Sequence, residues 1–283
     1  MYLRWLTFIY SCCLFSCIFT LFLGCYHECK LEQFFRHKKD DRTKLPTIFA
    51  ITPTFTRLVQ KAELTRVSNT FLHVPEFHWI VVEDSTNKTQ LVTSFLQKSG
   101  LRYTHLSIKT PKGVTKSRGT VQRNLALSWL RDTFKSNRSV EGVVYFADDD
   151  NTYSLDIFKE MRYTKKVSVW PVGLTGGLPY QSVHVNASGK VTGWKVKYAP
   201  DRPFALDMAG FAINLNLILE KPNACFHLGI KVGFQESSLL QDLATLDDLE
   251  PKADNCTKVL VWHTRTEGPR IHFAGFPDTF VEV

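Results

Sequence analysis

The first half of the sequence alternates strand-like segments with helix-like segments, and this alternation limits the possible folds more than any other feature. Strands are predicted at 47–53, 79–83, 103–108 and 143–147. Strands separated by helices pair side by side in parallel, because each helix returns the chain to the starting edge of the sheet. The sequence therefore predicts an α/β protein whose parallel sheet is covered by helices on both faces.

Three helices are predicted between these strands, from apolar residues that repeat at helical spacing. The second of them is predicted over about 91–97. The residues expected to face the sheet are Leu64, Val67 and Phe71 in the first helix and Val121, Leu125 and Trp129 in the third. Residues 46–151 therefore have the pattern of a Rossmann-like nucleotide-binding unit.

Acidic residues follow two of the predicted strands directly. Asp84 comes after the second strand, and Asp148, Asp149 and Asp150 come after the fourth. Three carboxylates at the end of a buried strand repel one another unless a cation compensates them. Oxygen ligands of this kind suit Mg²⁺ or Mn²⁺ held jointly with a diphosphate. Because the sequence has neither GxxxxGK nor GxGxxG, the metal and basic side chains would have to hold the phosphates.

The pattern changes after Asn151, where the predicted strands become shorter. Loops rich in Gly and Pro occur at 171–179 and 200–203, and two helices are predicted late in the chain. This composition suits a second lobe, at 152–283, that holds an acceptor substrate.

Residues 5–25 contain no charged side chain, and a helix of about 20 residues spans a bilayer core of about 30 Å. We expect a transmembrane signal anchor there, preceded by a short tail at 1–4 and followed by a charged stem at 26–45. A cleaved signal peptide is the alternative, although its apolar core is normally shorter. Basic residues are more numerous after the segment than before it, which by itself would place the bulk of the chain in the cytosol.

Sequons for N-glycosylation favour the opposite, lumenal placement. Their asparagines are Asn87, Asn137, Asn186 and Asn255. Most of the seven cysteines lie in or beside the uncharged segment, which leaves Cys225 and Cys256 for the folded part. A disulfide between these two is an open alternative, because sequence alone does not show how far apart they lie.

The formal net charge of +8 favours an anionic ligand, such as a nucleotide sugar or a polyanionic glycan. A basic surface that only attracts counter-ions is an equal alternative. No run of Lys and Arg is long enough to form a nucleic-acid-binding stripe. We therefore expect no nucleic-acid partner.

Several stretches of the sequence resemble the β1,3-glucuronosyltransferases of glycosyltransferase family 43. They are 53–64 (PTFTRLVQKAEL), 143–153 (VVYFADDDNTY), 167–173 (VSVWPVG), 207–212 (DMAGFA), 236–240 (ESSLL) and 259–267 (VLVWHTRTE). The resemblance implies a GT-A-like glycosyltransferase fold, with a UDP-sugar-binding subdomain at 46–151 and an acceptor-binding subdomain at 152–283. It also implies a single-pass type II protein of the Golgi membrane, with a lumenal catalytic part and a homodimeric assembly.

The resemblance further implies UDP-glucuronate as the donor and Mn²⁺ as the metal, with Asp150 as its leading ligand. The other predicted donor-binding residues are Phe55, Asp84, Arg118, Arg123, Asp148, Asp149, His263 and Arg265. Glu236, which is predicted to open a helix ending near Leu246, would take the proton from the 3-hydroxyl of a terminal galactose. Without the resemblance, Glu236 is more typical of an acid at a helix start, and Arg118 and Arg123 are more typical of cations on a helix surface.

Acceptor contacts are implied for Gln181, Tyr198, Arg202 and Asp207. Family members that build the proteoglycan linker Gal-Gal-Xyl have a Glu in place of Gln181 and a stacking Trp in place of Tyr198. Phe55 likewise replaces a Tyr. We hypothesise that these changes broaden acceptor use. There are two alternatives. One is a transferase that uses another UDP-sugar or acceptor, and the other is an inactive paralogue that acts as a binding subunit.

Overall fold

A seven-stranded mixed sheet lies at the centre of the computed structural model, which describes residues 45–114, 119–137, 139–270 and 272. The strands are β1 (Thr47–Thr54), β2 (Phe77–Glu83), β3 (Tyr103–Ser107), β4 (Gly142–Phe146), β5 (Thr152–Tyr153), β6 (Val167–Val169), β7 (Val172–Gly173), β8 (Tyr180–Val185), β9 (Val191–Lys195), β10 (Phe211–Asn214), β11 (Leu249–Pro251) and β12 (Val261–Trp262). The helices are α1 (Gln60–Phe71), α2 (Gln90–Lys98), α3 (Thr120–Phe134), α4 (Leu155–Met161), α5 (Leu215–Glu220) and α6 (Gln235–Leu243). A further helical turn, Ala253–Cys256, has positive φ angles at all its residues.

The strand order of the large sheet is β11-β6-β10-β4-β1-β2-β3. The neighbours β4, β1, β2 and β3 are parallel, as the sequence predicts. The strand β10 departs from the prediction, because it pairs in antiparallel fashion with both β4 and β6. A smaller sheet, in the order β5-β12-β7-β8-β9, is built after residue 151. Since the large sheet takes strands from both sides of that residue, the division into donor and acceptor subdomains stays a functional prediction.

Both faces of the large sheet are buried. On one face, Phe49 and Ile51 of β1 join a core with α3 and α6, and on the other, Ile48 and Ala50 pack with Leu64 and other residues of α1. A strand that is covered on both sides needs apolar residues at every position, and β1 and β4 are fully buried along almost their whole length. The buried face of α1 is the one predicted.

The predicted face of α3 was wrong. Val121, Leu125 and Trp129 are only half-buried, whereas Leu127 and its neighbours Ala126 and Leu130 are fully buried. The buried face continues into the first turn of the helix through Gln122 and Arg123. Because these polar residues reach the edge of the sheet where the acidic residues lie, the inward face does not show as an unbroken apolar stripe.

The predicted membrane anchor and stem lie outside the described residues. Within the described ranges, no helix combines the length and the apolar character needed to cross a bilayer.

The corrected face of α3 gives a stability prediction. We expect Leu127→Ala to lower the free energy of unfolding by about 2–5 kcal/mol, because it leaves a cavity in the core. The same change at Leu125, which is partly exposed on the same helix, should cost about 1 kcal/mol. Urea denaturation of the two variants beside the wild type measures both values, and an equal or larger cost at Leu125 would restore the face predicted from sequence.

Candidate active site at the carboxyl edge of the sheet

A cavity of about 600 Å³ opens where the parallel strands end. Predicted donor-binding residues from four separate segments line it, namely Phe55, Asp84, Arg123, Asp148, Asp149 and Asp150. The carboxyl ends of parallel strands meet at one edge, which is why residues so distant in sequence come together here. Phe55 is 45% exposed at the rim, and the Arg57 guanidinium lies 4.6 Å from the centre of its ring.

Asp84 is held from behind by the loop after β3. The Thr110 amide and hydroxyl each donate to its carboxylate at 2.9 Å, and Lys109 Nζ lies 3.2 Å from Oδ1. Burial alone would raise the pKa of Asp84, but these donors outweigh it and lower the pKa. The carboxylate therefore stays ionised in one fixed orientation.

Arginines compensate two of the three consecutive carboxylates. Arg123 Nη2 lies 2.5 Å from Asp148 Oδ1, and Arg57 Nη2 lies 2.7 Å from Asp149 Oδ1. Arg57 also pairs with the buried Glu63. The expectation that only a bound cation could relieve the repulsion was therefore incomplete. Arg57 and Glu63 were not predicted as site residues, although both lie within the motif at 53–64.

Asp149 and Asp150 keep different environments. Burial raises the pKa of Asp149 to about 6, although Arg57 and the Thr54 hydroxyl oppose the shift. Asp150 is half-buried, and burial together with the neighbouring Asp148 carboxylate raises its pKa. The main chain at Asp150 is fixed by Thr264, whose hydroxyl donates to its carbonyl oxygen at 2.6 Å. The loop after β4 is thus anchored while its carboxylates face the cavity.

The chain alone does not supply a complete metal shell. Within the described residues, no group of three or more His, Cys, Asp or Glu side chains is placed to hold an ion. Asp148 and Asp150 nevertheless provide oxygen donors at the same cavity, and the raised pKa of Asp150 indicates a negative potential that a divalent cation would relieve. These residues fit a cation that takes its remaining ligands from a diphosphate.

His263 and Asp207 form a second charged pair. His263 Nδ1 lies 3.3 Å from Asp207 Oδ2, which also accepts a hydrogen bond of 2.6 Å from the Thr175 hydroxyl. The Asp207 carboxylate raises the pKa of His263. Burial would raise the pKa of Asp207, but His263, Thr175 and the amide of Ala209 lower it. Asp207, predicted as a substrate contact, thus favours the cationic form of His263.

Glu236 is the second residue of α6, which ends at Leu243 and not near Leu246 as predicted. Its Oε2 atom is buried and makes no hydrogen bond within the described part of the chain. Burial and the Asp207 carboxylate raise the pKa of Glu236 to about 7, although Arg202 and Arg123 oppose the shift. A shielded carboxylate with one oxygen free of partners and a pKa close to neutral is suited to accept a proton.

Two of the predicted acceptor residues contact the loop that precedes α6. Tyr198 donates its hydroxyl to the Val232 carbonyl at 3.0 Å, and Arg202 donates to the Gly233 carbonyl. The Arg202 guanidinium lies 5.6 Å from the centre of the Tyr198 ring. Gly233 has a φ of +80°, and a Cβ there would lie 2.8 Å from Tyr198, so only glycine fits. Tyr198 is 44% exposed, which leaves its ring accessible to a ligand.

The remaining predicted residues lie farther apart. Gln181 is buried on β8, where its amide would collide with any side chain at Gly176. Arg265 is exposed and lines a second cavity of about 670 Å³, together with Phe55, Asp149 and other residues. Arg118 lies outside the described residues. The structure thus gathers the predicted donor residues more closely than the predicted acceptor residues.

The sequon asparagines Asn87, Asn137, Asn186 and Asn255 are all exposed. Glycan attachment at these positions stays a prediction. Cys225 and Cys256 are free thiols, so the disulfide considered from the sequence is not present. Cys256 is buried, and its thiol lies 3.3 Å from the Val169 carbonyl.

Comparisons with known proteins point to one family. The profile of glycosyltransferase family 43 matches residues 67–267. Human galactosylgalactosylxylosylprotein 3-beta-glucuronosyltransferase 1 is 58% identical over 252 residues, which cover 84% of this chain and 75% of that protein. The rat enzyme of the same name numbered 2 is 54% identical over 238 residues, which cover 83% of this chain and 72% of that protein. Among solved structures, S. aureus TarS 1-349 in complex with UDP-GlcNAc is 18% identical, with a TM-score of 0.49, and covers 79% of this chain and 60% of its own.

The raised pKa of Glu236 predicts a pH-dependent cost in stability. Its folded pKa of about 7 exceeds the ordinary value of 4.5, so the native state loses stability as the pH rises through this interval. Glu236→Gln imitates the protonated acid and should therefore be more stable than the wild type at pH 8, by at most about 3 kcal/mol, and nearly equal to it at pH 4.5. Urea denaturation at both pH values measures the difference, with the exposed Glu220→Gln as control. An equal difference at both pH values would contradict the assignment.

Proposed function

The chain belongs to glycosyltransferase family 43, and from this premise we propose that it transfers glucuronic acid from UDP-glucuronate to the 3-hydroxyl of a terminal galactose. One observation carries the proposal: the buried Glu236 carboxylate, whose Oε2 atom has no hydrogen-bond partner among the described residues and whose pKa is about 7, lies in the electrostatic field of Arg123, which lines the nucleotide-sized cavity. A binding module has no need of an isolated base that is costly to ionise.

The cavity at the carboxyl edge would hold the UDP part of the donor. Phe55 lies at the rim to stack on uracil, and Asp84 accepts hydrogen bonds from the uridine. Arg123 and His263 neutralise the charge that grows on the departing UDP, together with Arg265 and Arg118. His263 is suited to this role because Asp207 favours its cationic form.

Glu236 acts as the general base of an inverting displacement. It takes the proton of the galactose 3-hydroxyl while that oxygen attacks the anomeric carbon of glucuronate, and the bond from this carbon to the UDP oxygen breaks. The α-linked donor thus gives a β-linked product, and a single carboxylate suffices. The pKa of about 7 sets the base close to the pH at which it must be ionised.

A divalent cation, Mn²⁺ by preference, completes the donor site. Asp150, with Asp148 beside it, would hold the ion together with the diphosphate. The ion would supply positive charge next to the leaving oxygens. Asp149 is not expected to be a leading metal ligand, because Arg57 and Thr54 already engage its carboxylate.

The acceptor is a galactose-terminated glycan, such as the Gal-Gal-Xyl linker that appears in the names of the two relatives. Gln181, Tyr198, Arg202 and Asp207 lie on the acceptor side. Because Tyr198 is exposed beside the loop that leads to Glu236, its ring offers a surface for a sugar. The neutral Gln181 amide broadens acceptor use relative to a carboxylate at that position.

We place the protein in the Golgi membrane as a single-pass type II homodimer with its catalytic part in the lumen. The uncharged segment at 5–25 supports the anchor, and the exposed sequons support lumenal placement. The family to which the chain belongs supports the dimer.

Replacing the base should remove catalysis while donor binding persists. We expect Glu236→Gln in the full-length protein to lower kcat by about 10²–10⁴-fold, with little change in UDP affinity. In the wild type, kcat/KM for UDP-glucuronate should rise about tenfold per pH unit below pH 7 and level off above it, because only the ionised base accepts the proton.

Transfer of labelled glucuronate to a β-galactoside, beside UDP titration, measures these values, with Glu220→Gln as control. UDP binding without transfer to any galactoside by the wild type would favour an inactive binding subunit. Transfer that Glu236→Gln leaves intact would exclude Glu236 as the base.

Removal of divalent cations should stop transfer. We expect EDTA to abolish activity and added Mn²⁺ to restore it, because the described residues by themselves supply too few ligands to hold an ion against a chelator. Asp150→Asn should need more Mn²⁺ for half-maximal activity. The measurement is transfer against Mn²⁺ concentration, and full activity in EDTA would disprove the metal requirement.

A further inference from the structure

Arg57 lies between two buried carboxylates beside the candidate active site. Its Nη2 atom lies 2.7 Å from Oδ1 of Asp149, and the same atom pairs with Oε2 of Glu63. Its Nη1 atom donates to the Phe55 carbonyl at 3.1 Å, and the guanidinium lies 4.6 Å from the centre of the Phe55 ring. These contacts on several sides hold the guanidinium in one orientation.

Glu63 keeps Arg57 in this place. The Glu63 carboxylate lies in the first turn of α1, where only 4% of its side chain is exposed. Burial would lower the pKa of Arg57, but Asp149 and Glu63 raise it. The guanidinium is therefore a permanent cation, and Glu63 offsets the cost of keeping it partly buried.

Asp149 is engaged on both of its oxygens. Oδ1 contacts Arg57, and Oδ2 accepts a hydrogen bond of 2.7 Å from the Thr54 hydroxyl. A divalent cation on this carboxylate would lie within about 5 Å of the guanidinium, where two positive charges repel strongly. Asp149 thus lines the cavity beside Asp150, but its carboxylate is already occupied.

We propose that Arg57 is a positioning residue that withholds Asp149 from the metal ion, so that the site binds Mn²⁺ tightly only together with the diphosphate of the donor. The inference rests on the proposed function and concerns how its parts assemble. Asp148 and Asp150 alone are too few for an ion that takes about six oxygen ligands, whereas a third carboxylate would favour an ion without nucleotide.

The withheld carboxylate couples the two ligands of the donor site. Because such coupling is reciprocal, a diphosphate that raises the affinity for the ion is itself bound more tightly when the ion is present. Arg57 thus makes the ion and the nucleotide bind as a pair.

The test measures Mn²⁺ binding by the full-length protein in detergent at pH 8, with and without UDP. Electron paramagnetic resonance at room temperature counts the free ion, so that no catalysis is needed. We expect UDP to raise the Mn²⁺ affinity of the wild type by about a hundredfold. In Arg57→Gln/Glu63→Gln, Mn²⁺ alone should bind about tenfold more tightly than in the wild type, and the effect of UDP should fall about tenfold.

The double variant removes one positive and one negative group, so the local net charge stays the same. A gain in Mn²⁺ affinity therefore reports the freed Asp149 carboxylate and not a stronger negative field. Replacing Arg57 and Glu63 together also leaves neither of them buried without its partner. If the double variant fails to fold, Arg57→Met/Glu63→Met, which fills the same space with apolar side chains, takes its place.

Two further variants serve as controls. Glu63→Gln alone keeps Arg57 on Asp149 and should keep the wild-type affinity for Mn²⁺ in the absence of UDP. Adding Asp149→Asn to the double variant should cancel the gain, because the freed carboxylate is then lost.

The alternative outcomes are distinct. If the double variant binds Mn²⁺ alone no more tightly than the wild type, Arg57 is merely structural, and the inference is overturned while the proposed function stands. The same conclusion follows if the wild type binds Mn²⁺ equally well with and without UDP. A gain that persists with Asp149→Asn would show that Asp149 is not the withheld ligand. If the wild type binds Mn²⁺ neither alone nor with UDP, the metal requirement of the proposed function fails together with the inference.

Discussion

Repulsion among the carboxylates at the edge of the sheet is the interaction on which the rest of the site depends. Asp84, Asp148, Asp149 and Asp150 meet there because the parallel strands all end at the same edge. Charges this close do not stay ionised in a partly buried place without compensation. The protein supplies it unequally, with two arginines and a threonine engaging three of the carboxylates, and burial leaves both Asp149 and Asp150 with raised pKa values.

Burial and hydrogen bonding also separate the protonation of two further acids, Asp207 and Glu236. Asp207 is held ionised by His263 and Thr175, whereas burial favours the protonated form of Glu236. Environments that push the pKa values of neighbouring acids apart are typical of sites in which one group stabilises charge and another moves a proton. Asp207 also contributes to the raised pKa of Glu236, so the two roles are coupled through the field of one carboxylate.

The helix that carries Glu236 is tied to the donor side by polar contacts. The Thr120 hydroxyl of α3 donates to Gln235 of α6 at 3.1 Å, and Asn124 bonds the main chain of Phe226 in both directions. On the acceptor side, Tyr198 and Arg202 hold the loop that precedes α6. In the proposed function, Glu236 thus lies between the elements that would hold the two substrates, and its position depends on both. Such preorganisation lowers the cost of reaching the reactive geometry.

The sequence by itself determined the α/β class, the four parallel strands, the inward face of α1 and the acidic residues at the strand ends. It could do so because period and composition are local properties that a strand or helix carries wherever it packs. The family resemblance added the identity of the site residues. Hydrophobic periodicity failed to give the buried face of α3, since polar residues that reach the site interrupt the apolar stripe. The alternation of strands and helices did not predict the antiparallel strand β10.

Only the tertiary structure decided which side chain compensates each carboxylate of the site. Nothing in the spacing of Arg57 or Thr110 shows that each contacts a carboxylate far away in the chain, Asp149 and Asp84 respectively, because these contacts arise from strand order and not from proximity in the chain. The pKa of Glu236 was equally invisible, since it follows from burial among Arg202, Arg123 and Asp207. Chain pattern fixes which residue types meet the edge of the sheet, and packing fixes their protonation and their partners.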